Sequence, residues 1–149
     1  MTPGSYRMTP DPYHLHRFVE AQADVWDRVT DELEAGRKTS HWMWFVFPQL
    51  AVLGRSATAK FYGIRSVDEA RAYLTHPLLG RRLIDCARLL LQLRNRSARQ
   101  VFGIVDEMKL RSCLTLFAAI APEESAFRDC LQMFFDNKVD PLTLQHLAD

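Results

Sequence analysis

Leu79-Gly80-Arg81-Arg82-Leu83-Ile84-Asp85-Cys86-Ala87-Arg88-Leu89-Leu90-Leu91 is the stretch whose spacing decides the fold class. Leu79, Leu83, Ile84, Ala87, Leu90 and Leu91 return every three or four residues, with charged side chains between them. On a helix of 3.6 residues per turn those positions form one apolar stripe facing a core. Pro77, tolerated in a first helical turn, opens the segment.

The same period extends in both directions. Upstream, Phe18, Gln22, Val25, Trp26, Val29 and Leu33 form a second stripe. Their spacing predicts one long helix that opens at Asp11-Pro12 and closes at Gly36, before Arg37 and Lys38. Ser66-Val67-Asp68-Glu69 has the pattern of a capping box, in which Ser and Glu satisfy each other's free N–H groups. The helix it opens should end near Thr75 or His76. Ser97 to Gly103 reads as a short helical turn. Asp106 is expected to begin a helix that turns Leu110, Cys113, Leu114, Phe117 and Ile120 inward. Pro122-Glu123-Glu124 opens another, burying Phe127, Leu131, Phe134 and Phe135, and Asp140-Pro141 starts a short last one. No segment alternates with β-branched enrichment. The expectation is an all-α fold of six to eight helices with little or no sheet. One compact domain should span residues 12–149. Residues 1–11 are expected to fray, because the first twelve carry three prolines and a glycine.

Bulk composition agrees with a packed domain. The 149 residues fit one core, and 48% hydrophobic with 25% charged content excludes wholesale disorder. Nineteen basic and 18 acidic residues leave a formal charge of +1, so no net field draws in nucleic acid or an anionic membrane. Nucleic acid is therefore not an expected partner, although the arginines between 81 and 99 make that region locally basic. No run reaches the roughly 18 apolar residues needed to cross a bilayer, and the start has no signal-peptide core. Cys86, Cys113 and Cys130 are odd in number and match no metal-ligand spacing. They read as small buried hydrophobes in a reducing compartment, which implies a cytoplasmic protein. No metal or cofactor is implied: phosphate-binding glycine loops and a nucleophile elbow are both missing.

Two segments break the helical pattern. His41-Trp42-Met43-Trp44-Phe45-Val46-Phe47-Pro48-Gln49 holds four aromatic rings without a clean period and is stopped by proline. Its rings have two roles open to them. They can plug a gap between helices, or they can wall a pocket with His41 and Gln49 at its polar edge. The second segment runs from Phe102 to Thr115. Lys109 and Ser112 are helical neighbours, with Thr115 one step further round, beside inward-facing residues where an amine and hydroxyls need partners. Asp106 either caps the helix or, freed from capping, serves as a general base. Lys60 and Tyr62 share a short turn between glycines. There Lys60 is either a solvated surface lysine or a group that neutralises an anion. His76 reads as a helix-boundary residue.

Taken together, these segments resemble the domain of unknown function 1810 family. The resemblance rests on residues 41–49, Tyr62-Gly63-Ile64, His76-Pro77-Leu78-Leu79-Gly80, Phe102-Gly103 with Asp106 and Lys109, Ser112, Thr115-Leu116-Phe117 and Asp140-Pro141-Leu142-Thr143-Leu144. It implies a small, helical, mainly bacterial protein and brings no established activity. A calpastatin label attached to some members does not suit this chain, since calpastatins are long disordered inhibitors and this composition demands a core. A more distant similarity, of general pattern only, is to the NADAR family, which is linked to ADP-ribose and other N-glycosides.

The functional expectation is a small-molecule site for a nucleotide or ADP-ribose-like, phosphate-bearing ligand, with N-glycosidic hydrolysis as the reaction if the protein is an enzyme. His41, Trp42, Trp44 and Gln49 form one wall, joined by Tyr62, Ser112 and Thr115. Lys60 and Lys109 meet phosphate, and Asp106 with Lys109 carries any chemistry. The alternative is a non-enzymatic interaction module that presents the 41–49 rings as an exposed docking patch.

Overall fold

The computed structural model describes residues 10–148, so the fraying expected for residues 1–9 lies outside the described residues. Among the described residues nine α-helices follow one another, one more than the upper bound of the six to eight expected: α1 (His16–Ala23), α2 (Trp26–Ala35), α3 (Met43–Val46), α4 (Ala57–Phe61), α5 (Val67–Thr75), α6 (Leu79–Leu91), α7 (Ala98–Ile120), α8 (Ser125–Phe135) and α9 (Pro141–Ala148). A 3₁₀ turn occupies Ala51–Leu53. The all-α expectation holds. Among the described residues, β pairing is limited to one isolated parallel bridge between Leu50 and Ile64.

Helix α8 packs on both α6 and α7, with α5 also against α6 and α7, α2 on α6, and α9 on α7. Of the α6 stripe, Leu79, Leu83, Ala87 and Leu90 are at most 1% exposed, Ile84 and Leu91 are half-buried against the core, and Cys86 joins the buried face. Gly80 lets α6 cross the end of α5 closely, since an added Cβ would lie 1.8 Å from the Leu74 carbonyl oxygen.

The upstream stripe belongs to two helices rather than one. The chain leaves the helical track at Asp24 and Val25, yet both keep right-handed backbone angles (φ −86°, ψ −11° and φ −116°, ψ 0°). So short an interruption barely shifts the phase, and the apolar period runs through it. Asp11 does cap the first helix, but from further upstream than expected, so Pro12 is not its first residue. Its carboxylate accepts the N–H groups of Leu15 (2.8 Å) and His16 (3.1 Å), after a turn in which His14 is left-handed. Downstream, Gly36 (φ 75°) closes α2 as expected.

Ser66 caps α5 by accepting the Glu69 N–H (3.0 Å), but Glu69 reaches back to Arg65 N–H (3.1 Å), one residue beyond the expected box. Its second oxygen takes a buried ion pair from Arg17 at 2.6 Å, and both side chains are at most 5% exposed. His76 caps α6: its Nδ1 accepts the N–H groups of Leu78 and Leu79, each at 3.1 Å.

One buried carboxylate fixes the chain that follows α2. Glu32 accepts the Thr39 N–H (2.7 Å), the Ser40 N–H (3.0 Å) and hydroxyl (2.6 Å), and the Trp42 indole N–H (3.0 Å). Burial pushes its carboxyl up. The bonds from the Ser40 hydroxyl, Thr39 N–H, Trp42 indole and Ser40 N–H together outweigh that and hold it at about 2, against an ordinary 4.5. A folded value below the unfolded one gives stability that is complete above about 4.5 and lost as pH falls toward 2. Urea midpoints measured from pH 6 to pH 2 should therefore fall for the wild type across that window. They should fall less for Glu32→Gln, which starts from lower stability at neutral pH. Parallel profiles for the two proteins would show that Glu32 carries no such linkage.

Candidate functional site

The Glu32 clamp decides which indole reaches the surface. Trp42 is drawn inward, 1% exposed, with its N–H on Glu32 and its ring edge-on to Phe102 (centroids 6.4 Å apart). It is part of the core and not the pocket wall expected of it. Trp44, in the single turn α3, is half-buried, and Gln49 follows just past Pro48.

The second segment arrives through a break in α7. Gly103 has φ 85° and ψ 170°, well outside helical values. An added Cβ would meet nothing within 4 Å, so the backbone rather than packing calls for glycine here. The helix resumes directly after Gly103. Asp106 thus lies within the first turn and is not its cap, which removes the capping role read from the sequence. Negative charge in a first turn is favoured by the helix dipole.

At this point the two segments meet. Asp106 receives Lys38 Nζ at 2.8 Å on one oxygen and Lys109 Nζ at 3.6 Å on the other. Each ammonium also lies over an indole: Lys38 over Trp42 at 5.1 Å, Lys109 over Trp44 at 4.7 Å. Beside this cluster is a cleft of about 570 Å³. It is lined by Trp44, Gln49, Leu53, Gly54, Arg55, Ser56 and Ala59 on one side and by Ile104, Val105, Met108, Lys109, Ser112, Asp140 and Leu142 on the other. Another hollow of similar volume, about 580 Å³, lies between α7, α8 and α9, but no aromatic ring lines it.

Of the residues expected to bind a ligand, Trp44, Gln49, Lys109 and Ser112 face the cleft. His41 and Lys60 are exposed elsewhere, and Tyr62 packs among the rings of Phe18, Phe45 and Phe61. The reason is local. Lys60 and Tyr62 belong to α4 and its end, which bring only Ala59 and the preceding Ser56 to the cleft. Thr115 is 2% exposed; its hydroxyl donates to Arg111 C=O (2.7 Å) and accepts Asp140 N–H (3.0 Å). It braces α9 against α7 and lines the other hollow.

Sequence reasoning missed Lys38, read only as the end of a helix, and Asp140, read only as a helix opening. Asp140 does cap α9, taking the Thr143 N–H (3.2 Å) and hydroxyl, and it also meets the Ser112 hydroxyl at 3.1 Å. The Asp-Pro pair could disclose the cap but not the contact to α7. The exposed apolar residues Ile104, Val105, Met108 and Leu142, at 62, 67, 64 and 55%, also escaped notice.

Among the described residues, no three His, Cys, Asp or Glu side chains stand together as a metal site. Burial pushes the thiols of Cys86, Cys113 and Cys130 well above their ordinary range, so none is a ready thiolate. No helix of the described residues is long and apolar enough to cross a membrane.

Compared with known families, residues 12–147 match the family described as "Protein of unknown function (DUF1810)". Among solved structures, the chain is similar to the crystal structure of the conserved hypothetical protein Rv1873 from Mycobacterium tuberculosis. The two share 48% identity and a TM-score of 0.92 over 93% of this chain and 99% of that chain. No curated protein matches.

The two lysines on Asp106 differ in what they demand. The Lys38 side chain is 8% exposed and Lys109 20%. Asp106→Ala should cost about 1–3 kcal/mol, because it strands the buried Lys38 ammonium. Lys109→Ala should cost less than about 1 kcal/mol, since its pair is longer and reaches solvent. Chemical denaturation of both variants checks this; equal losses would contradict the assignment of Lys38 as the structural partner.

Proposed function

Since the chain belongs to the family described as protein of unknown function (DUF1810), the cleft must supply the functional argument, and we propose that it binds a small molecule carrying a planar ring and a phosphate. Nucleotides and ADP-ribose-like N-glycosides are the class in view. One observation carries this reading: Trp44 and Gln49 from one segment and Lys109 from another share a hollow of about 570 Å³. That volume suits a drug-sized ligand, and an apolar lining with a few convergent polar groups is the usual make-up of such a site. Trp44 offers a ring to stack on, Gln49 an amide for a base edge, Ser112 a hydroxyl, and Lys109 a charge for phosphate.

Binding is supported better than hydrolysis. Asp106 is held by two ammonium groups and does not line the cleft, so it is poorly placed as a general base. Asp140 lines the cleft, but its carboxylate caps α9. The rival reading, a docking patch made by the 41–49 rings, is less well supported, because two of its four rings, Trp42 and Phe47, are 1% exposed and the other two, Trp44 and Phe45, are half-buried. Three buried free thiols suit a reducing compartment, and we place the protein in the cytoplasm.

Tryptophan emission and melting temperature, followed during titration with nucleotides and sugar nucleotides, test the proposal. A binding member of the panel should perturb Trp44 emission and raise the melting temperature. Lys109→Gln and Gln49→Ala should each weaken that ligand by about tenfold or more, an effect of roughly 1.4 kcal/mol. If neither signal responds to any member, the ligand class is wrong.

A further inference from the structure

We infer that the cleft prefers a ligand with one anionic group on an apolar body, and that Lys38, which does not line the cleft, sets this preference. The inference rests on the reading of the cleft as a small-molecule site and narrows it, favouring one charged group over a pyrophosphate.

The argument is one of charge placement. Asp106 stands between two ammonium groups, and Lys38 is both closer (2.8 against 3.6 Å) and more buried (8 against 20% exposed). Coulombic attraction grows as distance shrinks and as water is excluded, so Lys38 is the group that neutralises the carboxylate. Were Lys109 its sole partner, the two charges would largely cancel and the cleft floor would be neutral. With Lys38 present, the charge on Lys109 is left for the ligand.

The rest of the lining limits how much charge can enter. Asp140 is negative and engaged with Ser112 and Thr143. Arg55 is exposed at the rim, where solvent and salt screen it. Much of the lining on the Lys109 side is apolar (Ile104, Val105, Met108 and Leu142, with Trp44 opposite), and the polar groups that join it, Gln49, Ser56 and Ser112, are uncharged. A first anionic group meets Lys109, whereas a second would find no further cation in the lining except the screened Arg55, and otherwise only neutral donors such as Gln49 and Ser112. The apolar body of the ligand covers the apolar side chains, which otherwise face water. Lys38 is thus a positioning residue: it acts through Asp106 on the charge that Lys109 presents.

Two fluorescent probes isolate the effect: anilinonaphthalene sulfonate and phenylnaphthylamine, the same rings with and without an anionic group. The readout is the ratio of their affinities, measured for the wild type, Lys38→Met, Lys38→Arg, Asp106→Asn and Lys109→Gln, each first shown to be folded. The wild type should favour the sulfonate by about tenfold. Lys38→Met and Lys109→Gln should abolish that preference, Lys38→Arg should restore it, and Asp106→Asn should raise it, because two uncompensated ammonium groups then remain. Should Lys38→Met not fold, Lys38→Gln takes its place: loss of the preference supports the inference and its retention overturns it. A ratio unchanged across the folded variants overturns the inference. If phenylnaphthylamine binds and the sulfonate binds no better, the charge inference fails while the cleft as a binding site survives. If neither probe binds the wild type, the charge inference fails, and the nucleotide titration decides separately whether the cleft is a binding site.

Discussion

A carboxylate removed from water has to have its hydrogen bonds supplied by protein, and Glu32 obtains all of its bonds from residues 39–42. The chain leaving α2 therefore cannot run on. It wraps back over Glu32, and the indole of Trp42 comes with it into the core. Once Trp42 is committed, α3 turns Trp44 toward the other side, where it borders the cleft. Lys38 belongs to the same wrapped segment, and its ammonium passes over Trp42 to reach Asp106. Satisfying one buried acid thus positions both a ring of the cleft and the cation behind it.

Gly103 does the matching work on the opposite wall. Before the break, Ala98, Val101 and Phe102 are buried. After it, the helix resumes on a new track, with Ile104, Val105 and Met108 exposed and Lys109 beside Trp44. A straight helix would carry Val105, four residues after Val101, and Met108, seven after it, onto the same buried face as Val101. Contiguous apolar exposure needs a reason, and position supplies one: these side chains line the cleft together with Leu142 from α9.

Much of this was legible in the sequence wherever the controlling interaction is local. The α6 stripe, the caps at Ser66 and Asp140, and the close of α2 at Gly36 depend on residues within a turn or two. The split between α1 and α2 was hidden because Asp24 and Val25 keep near-helical angles and so preserve the apolar period. Asp106 was misread for a related reason. An acid at the start of an apolar run looks like a cap, but the left-handed Gly103 starts the helix earlier and frees the carboxylate for lysines. The assignment of Trp42 and Trp44 to one wall could have been doubted from spacing alone. Residues two apart on a helical turn point to nearly opposite sides, so one indole had to face inward.

What no spacing argument reaches is the partnership of Lys38 with Asp106. The link from Asp106 to Lys109 is an ordinary step of three along one helix, visible to anyone who writes the sequence on a wheel. Lys38 lies on another element, after a glycine that ends a helix, in the setting of a surface lysine favoured by the helix dipole. Its meaning comes from a distance of 2.8 Å that exists only after folding. Local sequence can therefore identify the group a ligand would touch, Lys109, while staying silent on whether its charge is available. That availability depends on a second cation out of the ligand's reach, and the two lysines differ in role because a single carboxylate is shared unequally between them.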